Sequence, residues 1–308
     1  MPTEAKTRHS TPLLISSFRH SDYPLELLLE RKRETITAVL PAREVAETIG
    51  PIVEGLRGLG PLIDQILVVD AASSDATAEI ARSLGAEVHQ ESDLLPEFGQ
   101  ALGKGDAMWR ALSAASGDLL LYLDSDTREF SPRFATGMLG PLVAGEDVEF
   151  VKGTFGRPFT TESGERLPSG GGRVTELMAR PLLSAFYPEL AGFGQPLGGE
   201  VAGRRTLFES IPFASGYAVD IAMLLDVRDA LGTSRMAEVD LGERLNSHQP
   251  LLQLGPMAYA VLRVILERLR REGRLLDDYA PPLQTADGRL IQVEVVERPP
   301  YASLRTPA

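Results

Sequence analysis

The stretch DLLLYLDSDTREF, residues 118 to 130, ends an apolar run with Asp124 and Asp126, separated by one serine. Two carboxylates a few ångströms apart raise each other's pKa, so such a pair is costly unless a positive group binds it. An Asp-x-Asp after a strand can also arise as a cap on the next helix. If a positive group binds the two carboxylates, they form a binding site at the end of a buried strand. The residues alone leave open what that positive group is.

Two glycine-rich segments carry cations that suit a phosphate. Lys104 stands between two glycines, next to a helix start at Asp106, where its ammonium group can reach a phosphate. In GGGRVTEL, three glycines precede Arg173 and Thr175, so that exposed backbone N–H groups, a guanidinium fork and a hydroxyl could form a phosphate cradle. The structural alternatives are an exposed turn lysine and a flexible hinge whose Thr175 caps the helix.

The elements that would position these residues alternate between strand and helix. The predicted strands of the first half are TITAVLPA, QILVVD, AEVHQ and DLLLYL, with helices between them. Strands that are apolar on both faces predict a parallel sheet covered on two sides, a doubly wound α/β fold. In such a sheet ligands bind at the carboxyl ends of strands, so residues 41–44, 70–73 and 124–126 should line one crevice.

The remaining chain has a looser pattern. We predict a strand at VEFVKGTF, a helix at VTELMARPLLSAF, a strand near GGEVAGRR and a helix near YAVDIAMLLDVRDAL. LGERLNSHQP is typical of a loop, PMAYAVLRVILERLRR of an amphipathic helix, and RLIQVEVVERPP of an edge strand. Residues 1–34 are predicted to be a polar tail with one short helix near PLELLLERKR. Trp109 is expected in the core.

Composition excludes several classes of protein. The chain has 31 basic and 43 acidic residues, a net charge of −12, which argues against broad binding to nucleic acid or anionic lipid. It has no cysteine, so disulfides, cysteine-ligated zinc and thiol nucleophiles are excluded. Neither a membrane span nor a signal peptide is indicated, and a cytoplasmic location is expected.

Several motifs together resemble a known family. The order LPA, VVDAASSDAT, GKGDAMWRAL and LDSD looks like the nucleotide-sugar half of a GT-A glycosyltransferase. The later GGGRVTEL, QPLGGE, PFASGYAVDI and LGERLNSHQP make residues 35–262 resemble the retaining glucosyl-3-phosphoglycerate and mannosyl-3-phosphoglycerate synthases. The expected organisation is an N-terminal tail (1–34), a nucleotide-sugar half (35–150), an acceptor half of the same domain (151–262), and a C-terminal helix and tail (263–308).

The resemblance implies transfer of a hexose from a nucleoside diphosphate sugar to the 2-hydroxyl of 3-phosphoglycerate, with retention of configuration. The sugar donor is UDP-glucose, GDP-glucose or GDP-mannose, and the cofactor is Mg²⁺ or Mn²⁺. No enzymic nucleophile is evident, which favours attack from the face that the leaving group vacates. The oligomeric state is left open, with a homodimer as one option.

The resemblance also implies the roles of particular residues. Donor binding is expected of Pro41, Ala42, Glu44, Ser73, Lys104, Asp124, Ser125 and Asp126. Acceptor binding is expected of Gly172, Arg173, Thr175, Arg244 and Asn246. The reacting centre is expected to involve Asp126, Lys104, the backbone around Leu197, and Asp220.

Metal binding is expected of Asp124 and Asp126, with a third ligand from LGERLNSHQP. An ungapped match to the family places Asn246 where a histidine is common, whereas His248 lies two residues later. We predict His248, because imidazole is the stronger ligand. Asp220 stands where the family suggests glutamate, and the loop PAREVAE also departs from the glucosyl enzymes, so the choice of donor stays open.

Other functions predict other features. A different GT-A glycosyltransferase would keep the donor site and use another acceptor. A sugar nucleotidyltransferase should carry a glycine-rich phosphate loop after the first strand, which LPAREVAETIG lacks. A non-catalytic nucleotide-sugar sensor would keep the donor pocket and lose the GGGRVTEL cradle, which is present.

Overall fold

The computed structural model describes residues 15–157, 159–160, 166–167, 172–244, 251–275, 283–284, 290–292 and 294–304. Its strands are β1 (Ser16–Arg19), β2 (Ile36–Ala42), β3 (Gln65–Asp70), β4 (Glu87–Gln90), β5 (Leu119–Tyr122), β6 (Phe150–Gly156), β7 (Phe159–Thr160), β8 (Arg166–Leu167), β9 (Val201–Arg204), β10 (Phe213–Ala214), β11 (Met236–Glu243), β12 (Leu283–Gln284), β13 (Leu290–Ile291) and β14 (Glu297–Arg298). Its α-helices are α1 (Leu25–Arg31), α2 (Ala46–Arg57), α3 (Thr77–Ser83), α4 (Lys104–Ala111), α5 (Arg133–Ala144), α6 (Arg180–Phe186), α7 (Arg205–Ser210), α8 (Val219–Leu231) and α9 (Leu254–Arg271). A π-helical turn, Thr175–Ala179, leads into α6.

One large sheet organises the chain, in the order β1-β11-β6-β9-β5-β2-β3-β4. All neighbouring strands in it are parallel except β9, which runs antiparallel to β5 and β6. The mostly parallel α/β sheet predicted from the sequence is therefore confirmed. The reversed strand β9 is what brings the loop before it, residues 195–200, beside the carboxyl end of β5.

Apolar residues cover both faces of the sheet. One core cluster joins the sheet to α1, α2, α3 and α5, and the other joins it to α4, α6, α8 and α9. Central strands must be apolar on both faces to lie between two helical layers, and β5 is buried along its whole length. Trp109 is fully buried in the second cluster, as predicted.

Some segments differ from the sequence prediction. Ser16–Arg19, within the predicted tail, pairs with β11 at one edge of the sheet. The start of LGERLNSHQP is not a loop, because Leu241, Gly242 and Glu243 continue β11. RLIQVEVVERPP is not one edge strand: residues 290–291 pair with β12, and residues 297–298 pair with β10. The division into tail, two halves and C-terminal part stays a prediction.

No helix in the described part of the chain is both long and apolar enough to cross a bilayer.

Candidate active site

The carboxyl ends of β2, β3 and β5 meet in one crevice. Glu44 donates its backbone N–H to the Ser73 hydroxyl at 2.9 Å, and the Glu44 carboxylate accepts bonds from Ser74. The Ser125 hydroxyl donates to the Pro41 carbonyl at 2.7 Å. Glu44 has a φ of 52°, a left-handed conformation that is uncommon outside glycine and often found at binding sites. The structure thus brings together the predicted residues Pro41, Ala42, Glu44, Ser73 and Ser125.

The two aspartates after β5 converge on one positive group. Arg244 Nη2 lies 3.2 Å from Asp124 Oδ2 and 3.2 Å from Asp126 Oδ1. The other terminal nitrogen of Arg244 pairs with Glu200, and the Arg244 side chain is almost fully buried. Asp126 is the outermost member, with 58% of its side chain exposed. The carboxylate pair is therefore accessible to solvent at Asp126, and both of its carboxylates contact the buried guanidinium of Arg244.

Lys104 lies on the inner side of the same cluster. Its ammonium group is 2.8 Å from Asp124 Oδ1 and 3.4 Å from Asp220 Oδ2. Because α4 begins at Lys104 and α8 at Val219, the pairing joins the first turns of two helices to the end of β5. The predicted residues Lys104, Asp124 and Asp220 are therefore neighbours, although they are far apart in sequence.

Protonation in this cluster is shifted by burial and by its charges. Burial opposes the charge of Asp124, yet Lys104 and Arg244 outweigh it and hold the pKa of that carboxyl below its ordinary value. Partial burial and the Asp124 carboxylate together raise the pKa of Asp126. Burial also raises the pKa of Asp220, despite Lys104 nearby. Of the two carboxylates of the Asp-x-Asp pair, Asp126 is thus the one that Lys104 and Arg244 neutralise less.

The loop before β9 forms the floor of the site. A Cβ atom built on Gly199 would lie 2.1 Å from Asp124 Oδ1 and 2.4 Å from Lys104 Nζ, so any larger residue there would displace these side chains or the loop. Lys152, on β6, donates its ammonium group to the Gly198 carbonyl at 2.7 Å. Burial lowers the pKa of Lys152 to about 8. Lys152 thereby fixes the backbone next to Leu197, the predicted reacting centre.

A second group of residues lies beside the predicted acceptor loop. Gly172 has a φ of 71°, and a Cβ there would approach the Arg157 side chain at 3.6 Å and Thr175 at 3.8 Å. The Arg157 guanidinium lies 5.0 Å from the centre of the Phe155 ring, and the Arg244 guanidinium lies 5.2 Å from it. Phe155 therefore connects the predicted acceptor loop to the aspartate pair. Helical backbone begins at Arg173.

Buried polar atoms without a protein partner gather around this site. Within the described residues they include Arg157 Nε, Gln195 Oε1, Glu200 Oε2 and Arg244 Nε. Such atoms normally have a hydrogen-bond partner in a folded protein, and leaving one unpaired costs about 1–3 kcal/mol. Both hydrogen-bond donors and acceptors lack a protein partner here, so they are available to bind a polar, charged ligand.

The carboxylates also fit a divalent cation. Asp124 and Asp126 present oxygen atoms to the same positively charged nitrogen, and Mg²⁺ and Mn²⁺ both accept oxygen ligands. No group of three histidine or acidic side chains with metal-binding geometry occurs within the described part of the chain. Both candidates for the third ligand, Asn246 and His248, lie outside the described residues.

The sequence missed three charged residues of this site: Lys152, Arg157 and Glu200. Lys152 lies within an otherwise apolar strand, and Glu200 directly precedes a buried strand. Charged residues are rare in buried segments, so the sequence offered a reason to single out both. Arg157 had no comparable signal. Arg244, predicted for the acceptor, contacts Asp124, Asp126 and Glu200, and its role towards the acceptor stays a prediction.

The sequence of this chain matches a protein-family model. The model of glycosyl transferase family 2 matches residues 37–216. The glucosyl-3-phosphoglycerate synthase of Petrotoga mobilis is 39% identical over 95% of this chain and 95% of its own length. The enzyme of the same name from Mycolicibacterium smegmatis is 41% identical over 88% of this chain and 90% of its own length.

Solved structures agree with the sequence relatives. Mannosyl-3-phosphoglycerate synthase from Rubrobacter xylanophilus superimposes with a TM-score of 0.85 at 49% identity, covering 94% of this chain and 96% of that one. Glucosyl-3-phosphoglycerate synthase from Mycobacterium tuberculosis, in complex with Mn²⁺, UDP-glucose and phosphoglyceric acid, gives a TM-score of 0.84 at 36% identity. That match covers 96% of this chain and 100% of the other.

Proposed function

Because this chain belongs to glycosyl transferase family 2 and, within it, to the glucosyl- and mannosyl-3-phosphoglycerate synthases, we propose that it is a retaining hexosyltransferase. It transfers glucose or mannose from a nucleoside diphosphate sugar to the 2-hydroxyl of 3-phosphoglycerate. The observation that carries the proposal is the convergence of Asp124, Asp126, Lys104 and Arg244 at the end of β5.

The donor is bound at the ends of β2, β3 and β5. Glu44 and Ser73, which are joined by a hydrogen bond, face the nucleoside. Asp124 and Asp126 hold Mg²⁺ or Mn²⁺, which when bound neutralises negative charge on the diphosphate. Lys104 supplies a further positive charge to the same diphosphate. Asp220, which lies against Lys104, contacts hydroxyls of the hexose.

The acceptor is bound on the Gly172 side of the cluster. Arg173 and Thr175 bind the phosphate and carboxylate of 3-phosphoglycerate, and Arg157 adds a half-buried positive charge beside them. A protein of net charge −12 must concentrate cations wherever it binds a small anion. The loop around Leu197 then lies between donor and acceptor.

The reaction exchanges one bond for another at the anomeric carbon. The bond to the diphosphate oxygen breaks, and the 2-hydroxyl oxygen of the acceptor forms its bond from the same face. The hydroxyl proton passes to the departing phosphate oxygen. Lys104 stabilises the charge that develops on that oxygen, and the backbone held by Lys152 keeps the reacting groups in place.

A direct assay tests the proposal. The purified protein is incubated with UDP-glucose, GDP-glucose or GDP-mannose and Mn²⁺, with and without 3-phosphoglycerate, and the products are identified by mass spectrometry and NMR. We expect an α-linked hexosyl-3-phosphoglycerate from at least one donor. Formation of a nucleoside diphosphate sugar from sugar phosphate would identify a nucleotidyltransferase, and binding without turnover would identify a sensor.

Arg173 tests the acceptor site. Loss of a charge-assisted hydrogen bond to phosphate costs roughly 1.5–3 kcal/mol, so Arg173→Ala should raise the KM for 3-phosphoglycerate about tenfold or more. Arg173→Lys should be intermediate, because it keeps the charge without the guanidinium fork. Calorimetry should find the affinity for the nucleotide sugar unchanged. If donor binding collapsed instead, Arg173 would belong to the diphosphate site.

The third metal ligand is tested by paired variants. If His248 completes the site, His248→Ala should raise the Mn²⁺ concentration needed for half-maximal activity more than Asn246→Ala does, by about tenfold or more for the loss of one ligand. Titration of each variant with Mn²⁺ measures this. The reverse order would assign the ligand to Asn246, as the ungapped family match has it.

A cytoplasmic location and a homodimer remain predictions from the sequence.

A further inference from the structure

The C-terminal strap, residues 294–304, lies across the helix that carries Lys104. Its strand β14 pairs with β10, and Ser215 and Val296 exchange two further hydrogen bonds. The indole of Trp109, on α4, donates to the Pro299 carbonyl at 2.8 Å. The strap is therefore attached both to β10 and to α4.

The most buried contact of the strap is made by Arg298. Its Nε lies 2.7 Å from Asp106 Oδ1, and its Nη2 lies 3.0 Å from Asp106 Oδ2. Arg298 thus makes a bidentate salt bridge with a carboxylate that is fully buried. The guanidinium also lies over the rings of Phe98 and Trp109, at 5.9 and 5.7 Å from their centres. Arg110 is the other cation on Asp106, at 3.3 Å.

Asp106 in turn fixes the chain just before Lys104. Its Oδ2 accepts the backbone N–H of Leu102 at 2.9 Å, and Arg298 Nη2 donates to the Gln100 carbonyl at 3.4 Å. Lys104 is the first residue of α4, two positions before Asp106. The direction of the Lys104 side chain therefore depends on a loop and a helical turn that Arg298 holds in place.

Close packing restricts the helical turn that begins at Lys104 while the strap is bound to β10 and α4. A Cβ on Gly105 would lie 1.9 Å from the Ala214 carbonyl of β10, and Gly216 donates its N–H to the Leu102 carbonyl at 3.0 Å. Because β10 pairs directly with β14, the strap supports the Lys104 turn in two ways: through the Arg298–Asp106 pair and through β10.

We propose that Arg298 is a positioning residue for the donor diphosphate, acting through Asp106 on Lys104. The inference rests on the proposed function, because it assumes that Lys104 binds the diphosphate. The C-terminal segment, for which the sequence predicts a tail with an edge strand, would thus set the affinity for the nucleotide without contacting it.

The test is a double-mutant cycle on nucleotide affinity. UDP and GDP are each titrated by calorimetry with Mn²⁺ present, and the tighter ligand is then used for Lys104→Ala, Arg298→Ala and the double variant. We expect each single variant to weaken binding about tenfold, and the double variant to bind no more weakly than Lys104→Ala alone. Arg298→Lys should fall between wild type and Arg298→Ala, and it replaces the alanine variant if that variant does not fold.

Arg271→Ala is the matched control. Arg271 also pairs with the strap, at 2.6 Å from Glu297, but it lies on α9 and is 44% exposed, so its loss should change nucleotide affinity by less than about twofold. Equal weakening by Arg271→Ala, independent effects in the double variant, or unchanged affinity in Arg298→Ala would each overturn the inference. Unchanged affinity in Lys104→Ala would instead refute the donor role of Lys104, and the inference would fall with it.

Discussion

Replacing Asp126 by alanine is expected to lower turnover by about a hundredfold or more, equivalent to roughly 3 kcal/mol of transition-state stabilisation. Asp126 is the exposed member of the carboxylate pair, and Lys104 and Arg244 neutralise it less than they neutralise Asp124. It is therefore the residue best placed to hold the metal against the donor diphosphate. Steady-state assays of Asp126→Ala and Asp126→Asn at saturating Mn²⁺ measure the loss, and near-native turnover in either variant would remove Asp126 from the metal site.

Thermal unfolding separates this role from folding. The pKa of Asp126 is raised in the folded state, so the stability that its protonated form contributes is fully present below the unfolded pKa and is lost as pH rises through the folded pKa. Metal-free Asp126→Asn should therefore have a Tm at neutral pH at least as high as that of the wild type. Mn²⁺ should raise the Tm of the wild type and leave that of the variant unchanged. A variant with a lower Tm and an intact response to Mn²⁺ would contradict the assignment.

The sequence predicted the fold and the donor side of the site because both follow from local patterns. Apolar strands followed by polar residues predicted the parallel sheet, and the rule that ligands bind at carboxyl strand ends placed Asp124 and Asp126 in one crevice with Glu44. The structure confirms that these strand ends meet. The binding role of each residue stays a prediction.

The rest depended on contacts between distant segments. Nothing local indicates that Arg298 pairs with Asp106 or that Lys152 holds the Gly198 carbonyl. Alternation of apolar and polar residues predicts one continuous edge strand in the C-terminal segment, because it does not reveal where pairing switches from β12 to β10. The glycine and charges at the start of LGERLNSHQP predict a loop, although these residues are the last of β11 and pair with β6.

Gly199 gives the second large expected effect. A methyl group at this position would meet Asp124 Oδ1 and Lys104 Nζ far inside van der Waals contact, so Gly199→Ala must displace the ion pair, the loop or both. The Lys104–Asp124 pair is mostly buried, with 21% of each side chain exposed, so separating it costs on the order of 3 kcal/mol. These two side chains are the proposed ligands of the cation and the diphosphate. We therefore expect Gly199→Ala to weaken nucleotide binding and to lower kcat/KM, each by about a hundredfold.

Gly192→Ala is the control within the same connection. A Cβ on Gly192 would have no atom within 4 Å and its backbone is outside the left-handed region, so that variant should match the wild type in nucleotide affinity, kcat/KM and Tm. Calorimetry with the preferred nucleoside diphosphate and Mn²⁺ measures the affinity, and steady-state assays measure kcat/KM. Native affinity in Gly199→Ala would mean that the Lys104–Asp124 pair can separate without cost to the donor. The diphosphate would then have to be held by cations other than Lys104, with Arg244, already 3.2 Å from Asp124 and Asp126, the nearest alternative.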